Sequence, residues 1–236
     1  MDTSKAPAYV VSPEPGDGDC VVFVPGLGGR TKFVAQWNVP GADPVIRKAT
    51  WNRPLDLPPI DERGRSLAAL LAGSAAPGVV LIGHSMGGLV CLEAARHLGD
   101  RLRGLVVLCQ NPPHRTPFSE LIDLPDRELA EQVGGVPPHV LDNEPVLGQY
   151  AALWRTEYRL LNAYLDADPR PVLDVPMVVV GALDDPSSNN RTFLEAWRKY
   201  TTGGLSVHLV PGGHQVVEDL APETVRSWVD EVPAGR

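Results

Sequence analysis

The sequence predicts an α/β fold, a mostly parallel central sheet with helices on both faces. Two observations lead there. Short, uninterrupted apolar runs recur along the chain, as strands covered on both faces require. Longer stretches with helical spacing separate them, and the alternation of strand with helix argues for a parallel sheet.

Taken in order, residues 20–24 (Cys-Val-Val-Phe-Val) form the first continuous run, and residues 45–51 a weaker strand candidate. Residues 65–71 show helical periodicity, followed by a strand at 78–82, a helix at 89–98 and a strand at 105–108. The alternation resumes with a strand at 177–180, a helix at 190–200, a weaker strand at 205–210 and a helix at 222–232. Between them, residues 112–174 contain no strand-like run. This segment holds amphipathic pieces at 124–133, 137–142 and 145–165, the last with apolar residues along one broad stripe. A helical insertion between two strands is a natural lid, and extra helices thickening the core are the plainer alternative. We expect one domain over residues 1–236, with 112–174 inserted in it.

Composition narrows the function. The 236 residues are 43% hydrophobic, enough for a sizeable core, since a domain of this size hides roughly 70% of its unfolded surface. With 21 Lys and Arg against 29 Asp and Glu the formal charge is −8, which lacks the basic footprint of a nucleic-acid binder and does not favour anionic membranes. The 23 glycines and 24 prolines make the chain loop-rich but below the ~25–30% that signals disorder. Cys20, Cys91 and Cys109 lie in apolar or helical runs and read as reduced core residues. Residues 1–19 carry no signal-peptide core and no window approaches a membrane span, so a cytoplasmic protein is expected.

The chemistry centres on Gly83-His84-Ser85-Met86-Gly87-Gly88, placed between the run at 78–82 and the helix at 89–98. This is a G-x-S-x-G nucleophile elbow in its required context of strand, sharp turn and helix. A serine held there projects above the sheet, small residues such as Gly83 and Gly87 let strand and helix approach, and the helix N-terminus favours developing negative charge. By composition a G-x-S-x-G arises in such a chain roughly one time in ten; the context makes this one far rarer.

A serine nucleophile needs a base held by an acid, and in this architecture the chain order is Ser, Asp, His. Of the histidines after Ser85 on late elements, His208 sits inside a strand run, whereas His214 follows Pro211-Gly212-Gly213 in a loop past a strand end, where ligands bind in open parallel sheets. His214 is therefore the expected base. For the acid, Asp184 and Asp185 both follow the run at 177–180. Asp185 is preferred, Asp184 remains the alternative, and the one not bound to His214 should be the more solvated. Oxyanion donors are expected from the amide of Met86 and from Leu27 in the loop Pro25-Gly26-Leu27-Gly28-Gly29, whose glycines permit close backbone approach. That loop has neither a Walker lysine nor G-x-G-x-x-G spacing, and the histidines show no metal-ligand spacing; no cofactor and no metal are expected. Arg96, His97, Arg101 and Arg103 cluster near one helix end. They read as a solvated helix end, with a docking patch for an acidic partner as the alternative.

At these residues the chain resembles the type II thioesterases that accompany polyketide synthases and non-ribosomal peptide synthetases. Phe23 to Gly29 with Trp37 beyond, the Gly-His-Ser-Met-Gly elbow, Leu124-Pro125-Asp126-Arg127-Glu128-Leu129, Gly134-Gly135-Val136-Pro137, Asp184-Asp185-Pro186, Trp197 and Pro211-Gly212-Gly213-His214 are similar to that family's pattern over nearly the whole length. Leu27 stands where the family usually has Ala, and Trp51-Asn52-Arg53-Pro54 replaces a Leu-Pro-Gly-Arg-Glu-like segment. The resemblance implies an α/β-hydrolase fold and hydrolysis of acyl groups from the phosphopantetheine arm of an acyl- or peptidyl-carrier protein. A monomer is expected. A small-molecule esterase or lipase, a cyclase or acyltransferase, and a non-catalytic hydrolase-fold binding module are the competing readings.

Overall fold

The computed structural model describes residues 9–41, 43–52, 57–117, 119–134, 136–167 and 170–232. Arg53, Pro54 and Gly135, named above, lie outside them. The strands are β1 (Tyr9–Ser12), β2 (Cys20–Val24), β3 (Ile46–Trp51), β4 (Val79–His84), β5 (Leu102–Leu108), β6 (Met177–Ala182) and β7 (Leu205–Val210). The helices are α1 (Ile60–Ala72), α2 (Met86–Leu98), α3 (Asp126–Val133), α4 (Pro138–Leu141), α5 (Glu144–Asp166), α6 (Arg191–Glu195) and α7 (Pro222–Asp230). The strands form one sheet in the order β1-β3-β2-β4-β5-β6-β7. Among the described residues, only the β1–β3 pairing is antiparallel.

Side-chain alternation in the central strands builds two cores. Val22, Val24, Leu81, Leu105, Val107 and Val179 face α1 and α2. Val21, Phe23, Ile82, Val106 and Val180 face a short 3-10 segment (Lys32–Trp37) and α7. Both faces are dry, so strict polar alternation would have left polar groups buried; the continuous apolar runs are the solution. A buried side chain such as Phe23 contributes about 1.5–3 kcal/mol.

Two elements differ from the sequence expectation. Helix α1 begins at Ile60, five residues earlier than its periodicity suggests, because its first turns bury Arg63 and Gly64. A Cβ on Gly64 would lie 2.5 Å from that of Glu93 on α2. Residues 190–200 form α6 followed by a 3-10 turn (Ala196–Tyr200) rather than one helix. Strand β1 carries no counterpart in the expected elements.

The segment 112–174 runs from the end of β5 to β6 and contains α3, α4 and α5, with no named strand among its described residues. Leu129, Val140, Leu147 and Trp154 make a small core of its own, against which Leu27 packs. The second half of α5 is fastened to the main body by polar ties. Arg63 Nη1 meets Glu157 Oε2 at 2.8 Å, both side chains nearly buried, and the Tyr164 hydroxyl donates to Glu93 Oε1 at 2.7 Å. Burial pushes the Glu157 carboxyl up and Arg63 only partly offsets it, the signature of a pair whose desolvation consumes most of its attraction. Glu157→Leu alone should therefore cost roughly 3–5 kcal/mol by stranding Arg63, whereas Arg63→Met with Glu157→Leu should lose far less; denaturant unfolding of the two single variants and the double variant measures this.

Candidate active site

Strand β4 ends at His84 and α2 starts at Met86, leaving Ser85 alone in the turn with φ 52° and ψ −133°. That left-handed backbone is costly for a residue with a side chain. It is held by packing on all sides. The Ser85 N–H donates to Leu108 O at 2.8 Å and the Gly88 N–H to Ser85 O at 2.8 Å. A Cβ on Gly83 would stand 2.5 Å from Gly88 Cα, and one on Gly87 2.3 Å from Val24 O. Only glycine lets β4, α2 and the end of β2 come this close, and the result lifts Ser85 to the carboxyl end of the sheet.

The other groups come from strands farther along the sheet. Three inter-strand spacings separate β7 from β4, about 14 Å, so the loop after β7 must fold back over the sheet to bring His214 to Ser85. The Asp184 N–H donates to Gly212 O at 2.9 Å, and His84 Nε2 lies 2.8 Å from His214 O; a carbonyl only accepts, so His84 donates. His214 then lies with Nε2 3.0 Å from Ser85 Oγ and Nδ1 2.8 Å from Asp185 Oδ2.

Asp185 is 3% exposed, while Asp184 is exposed, so Asp185 is the carboxylate brought to the imidazole. Burial alone would raise its carboxyl, but hydrogen bonds from His214, Ser188 and Ser187 outweigh it and hold the group well below the ordinary range. Oδ1 accepts from the Ser187 N–H (3.0 Å) and hydroxyl (2.7 Å), and Oδ2 from the Ser188 hydroxyl (2.5 Å). An ionised carboxylate only accepts, so His214 carries its proton on Nδ1 and turns the Nε2 lone pair to the Ser85 hydroxyl. Ser187 and Ser188 escaped the sequence reading. Their signal was the Asp-Pro-Ser-Ser order, in which hydroxyls two and three residues on fold back to an Asp.

Met86, at the first position of α2, is buried and Leu27 half-buried; both line a cleft of about 790 Å³ that also holds Ser85, His214 and Asp185. Its apolar wall includes Leu121, Val133, Tyr158 and Leu161 from the segment 112–174. Of the glycines in the 25–29 loop, Gly26 makes the close approach, where a Cβ would lie 2.8 Å from that of Ser85. Gly28 and Gly29 have positive φ and nothing near a would-be Cβ; they turn the chain.

His208 lies outside the site, half-exposed on β7 with Nε2 3.0 Å from Glu231. The three cysteines are buried and free, with burial pushing the Cys109 thiol up to about 12. The basic cluster is largely spent on structure. Arg101 donates to the carbonyls of Ala72, Ser74 and Ala76, Arg103 to those of Asp100 and Pro77, and Arg96 meets Glu93 at 3.1 Å. It lies at the far end of α2, about 20 Å from Ser85. Among the described residues no helix is long and apolar enough to cross a membrane.

The strand order and the strand–serine–helix turn define an α/β-hydrolase fold. The thioesterase domain profile matches residues 65–228, over two thirds of the sequence; the chain belongs to the thioesterase family. It is 29% identical over 161 residues to the linear gramicidin dehydrogenase LgrE of Brevibacillus parabrevis, covering 64% of this chain and 60% of that protein. The chain spans 52–60% of the length of the first curated relatives it matches. Among solved structures, the RedJ thioesterase from the prodiginine pathway of Streptomyces coelicolor superposes with a TM-score of 0.72 at 26% identity, covering 97% of this chain and 94% of that one. YbtT, a type II thioesterase from the yersiniabactin NRPS/PKS pathway, gives 0.80 at 22% identity, covering 96% and 98%; at that identity the likeness is one of fold.

His84 generates a prediction. Burial, then the neighbouring charge of His214, lowers its imidazole from 6.5 to about 3, so it stays neutral in the fold. Between those values the unfolded chain holds a proton that the folded chain refuses, and stability falls as pH falls through this window. From pH 7 to pH 5 the wild type should lose roughly 2 kcal/mol more than His84→Gln, measured by urea unfolding at both pH values.

Proposed function

We propose that this protein is a type II thioesterase that hydrolyses acyl groups from the phosphopantetheine arm of acyl- or peptidyl-carrier proteins in polyketide or non-ribosomal peptide synthesis. The observation that carries the proposal is the single imidazole of His214 standing between Ser85 Oγ at 3.0 Å and a buried carboxylate at 2.8 Å, inside the cleft bounded by the inserted helices. Family membership and the biosynthetic setting of RedJ point to the same substrate class.

In this reading Ser85 Oγ attacks the thioester carbonyl carbon as its proton passes to His214 Nε2. Asp185 holds the imidazole in the required tautomer and stabilises the imidazolium. The carbonyl oxygen becomes an oxyanion, which accepts hydrogen bonds from the amides of Leu27 and Met86, each such donor being worth about 10²–10³ in rate. The carbon–sulfur bond breaks, the pantetheine thiolate takes the proton from His214, and the acyl group remains on Ser85. Water then attacks the ester, giving its proton to His214, and Ser85 leaves reprotonated. The segment 112–174 roofs the acyl chamber, with Leu121, Val133, Tyr158 and Leu161 against the chain, and opens for the arm.

The test is a panel of acyl-loaded carrier proteins beside matched oxygen esters, followed by mass spectrometry of the released acid. Wild-type protein should release free acid from the thioesters preferentially, and Ser85→Ala should release none above background. Persistence of hydrolysis in that variant overturns the mechanism, and preference for the oxygen esters overturns the substrate class. Asp185→Asn should lower turnover by about 10⁴ through the wrong imidazole tautomer, and Asp184→Asn by less than about tenfold; steady-state kinetics of the two variants separates the neighbours.

A further inference from the structure

The loop that carries His214 is built on Gly212 and Gly213 and enters the site from an edge strand. A glycine-rich loop crossing ~14 Å of sheet does not by itself fix an imidazole to a few tenths of an ångström. Its fastenings are therefore informative. One is the Asp184 N–H to Gly212 O, and another the Val216 N–H to Gly213 O, each a backbone pair on a neighbouring residue. Residue 214 itself is met by two side chains: Asp185, which holds the ring through Nδ1, and His84, immediately before Ser85, whose Nε2 lies 2.8 Å from the main-chain carbonyl His214 O.

We propose that His84 is a positioning residue for the proposed Ser85–His214 pair, donating from Nε2 to the main-chain carbonyl of His214 and so tying the base loop to the strand end that carries the serine. The inference rests on the serine-hydrolase reading above. One end of β4 thereby sets both reacting partners, Ser85 through the backbone and His214 through the neighbouring ring. His84 is 5% exposed, so the bond is shielded from competing water. The two imidazole centroids stand 5.2 Å apart; a charged ring at 84 would oppose the imidazolium that forms at 214 during turnover. Burial keeps His84 neutral, with its pKa lowered to about 3, so it donates without adding charge. Loss of this donor leaves the main chain at residue 214 to the glycine-rich loop, with the ring still tied to Asp185, and a displacement of about 1 Å in a reacting group can cost 10²-fold.

The test uses the full chain and a fluorophosphonate probe, whose reaction with an activated serine requires no knowledge of the acyl group. His84→Leu removes the donor at similar volume; His84→Gln returns an N–H donor near the position of Nε2. The expected result is labelling of Ser85 slowed about 10- to 100-fold in His84→Leu and largely recovered in His84→Gln, with both variants melting cooperatively. With a thioester substrate the same loss should appear in kcat with KM little changed. Wild-type labelling in His84→Leu overturns the inference, as does an equal loss in both variants, which would mark a packing role. Labelling that persists in Ser85→Ala overturns the serine-hydrolase reading and this inference with it; labelling abolished in Ser85→Ala but normal in His84→Leu overturns this inference alone.

Discussion

The structure depends on one backbone turn. Ser85 is held with φ 52° between a strand that ends at residue 84 and a helix that starts at residue 86, a conformation that costs on the order of 1–3 kcal/mol. The surroundings leave it little room to relax. Helix α2 buries eleven of its residues, among them Leu89, Val90, Cys91 and Leu92, and the turn is wedged against the ends of β2 and β5. The strain is offset by the hydrophobic core on either side of the sheet, and it places a hydroxyl where α2 opens and the 25–29 loop passes within contact distance. The remaining parts of the site are arranged to reach that point.

Burial divides the titratable groups of the site into distinct states. Asp185 is nearly inaccessible yet remains an anion, because four hydrogen bonds converge on its two oxygens. His84, equally buried, has a backbone carbonyl as its hydrogen-bond partner and stays neutral. The same desolvation thus has opposite outcomes, decided by whether donors surround the charge. In the proposed mechanism this leaves His214, half-exposed at the rim of the cleft, as the group through which the proton moves.

Much of this was legible in the residues. The buried strands announced themselves because both faces of the sheet are covered, and the elbow because strand, Gly-x-Ser-x-Gly and helix stand in immediate succession. What escaped did so for physical reasons. Strand β1 is four residues long, too short for an alternation to register. The first turns of α1 were hidden because a buried Arg63, paired with Glu157, and a close-packed Gly64 occupy positions that periodicity expects to be apolar. Asp184 and Asp185 are indistinguishable by composition, and they are separated by a turn closed by Ser187 and Ser188, a contact between side chains rather than a pattern along the chain. His84 was visible as a letter of a motif, while its partner lies 130 residues away, a distance that no local pattern spans.

The most direct measurement of the central claim is a crystal structure of the protein after reaction with a small phosphonate ester. The account predicts a phosphorus atom bonded to Ser85 Oγ, a phosphoryl oxygen within hydrogen-bond distance of the Leu27 and Met86 amides, and His214 still bonded to Asp185. An adduct on another residue, or a phosphoryl oxygen turned away from both amides, would contradict it.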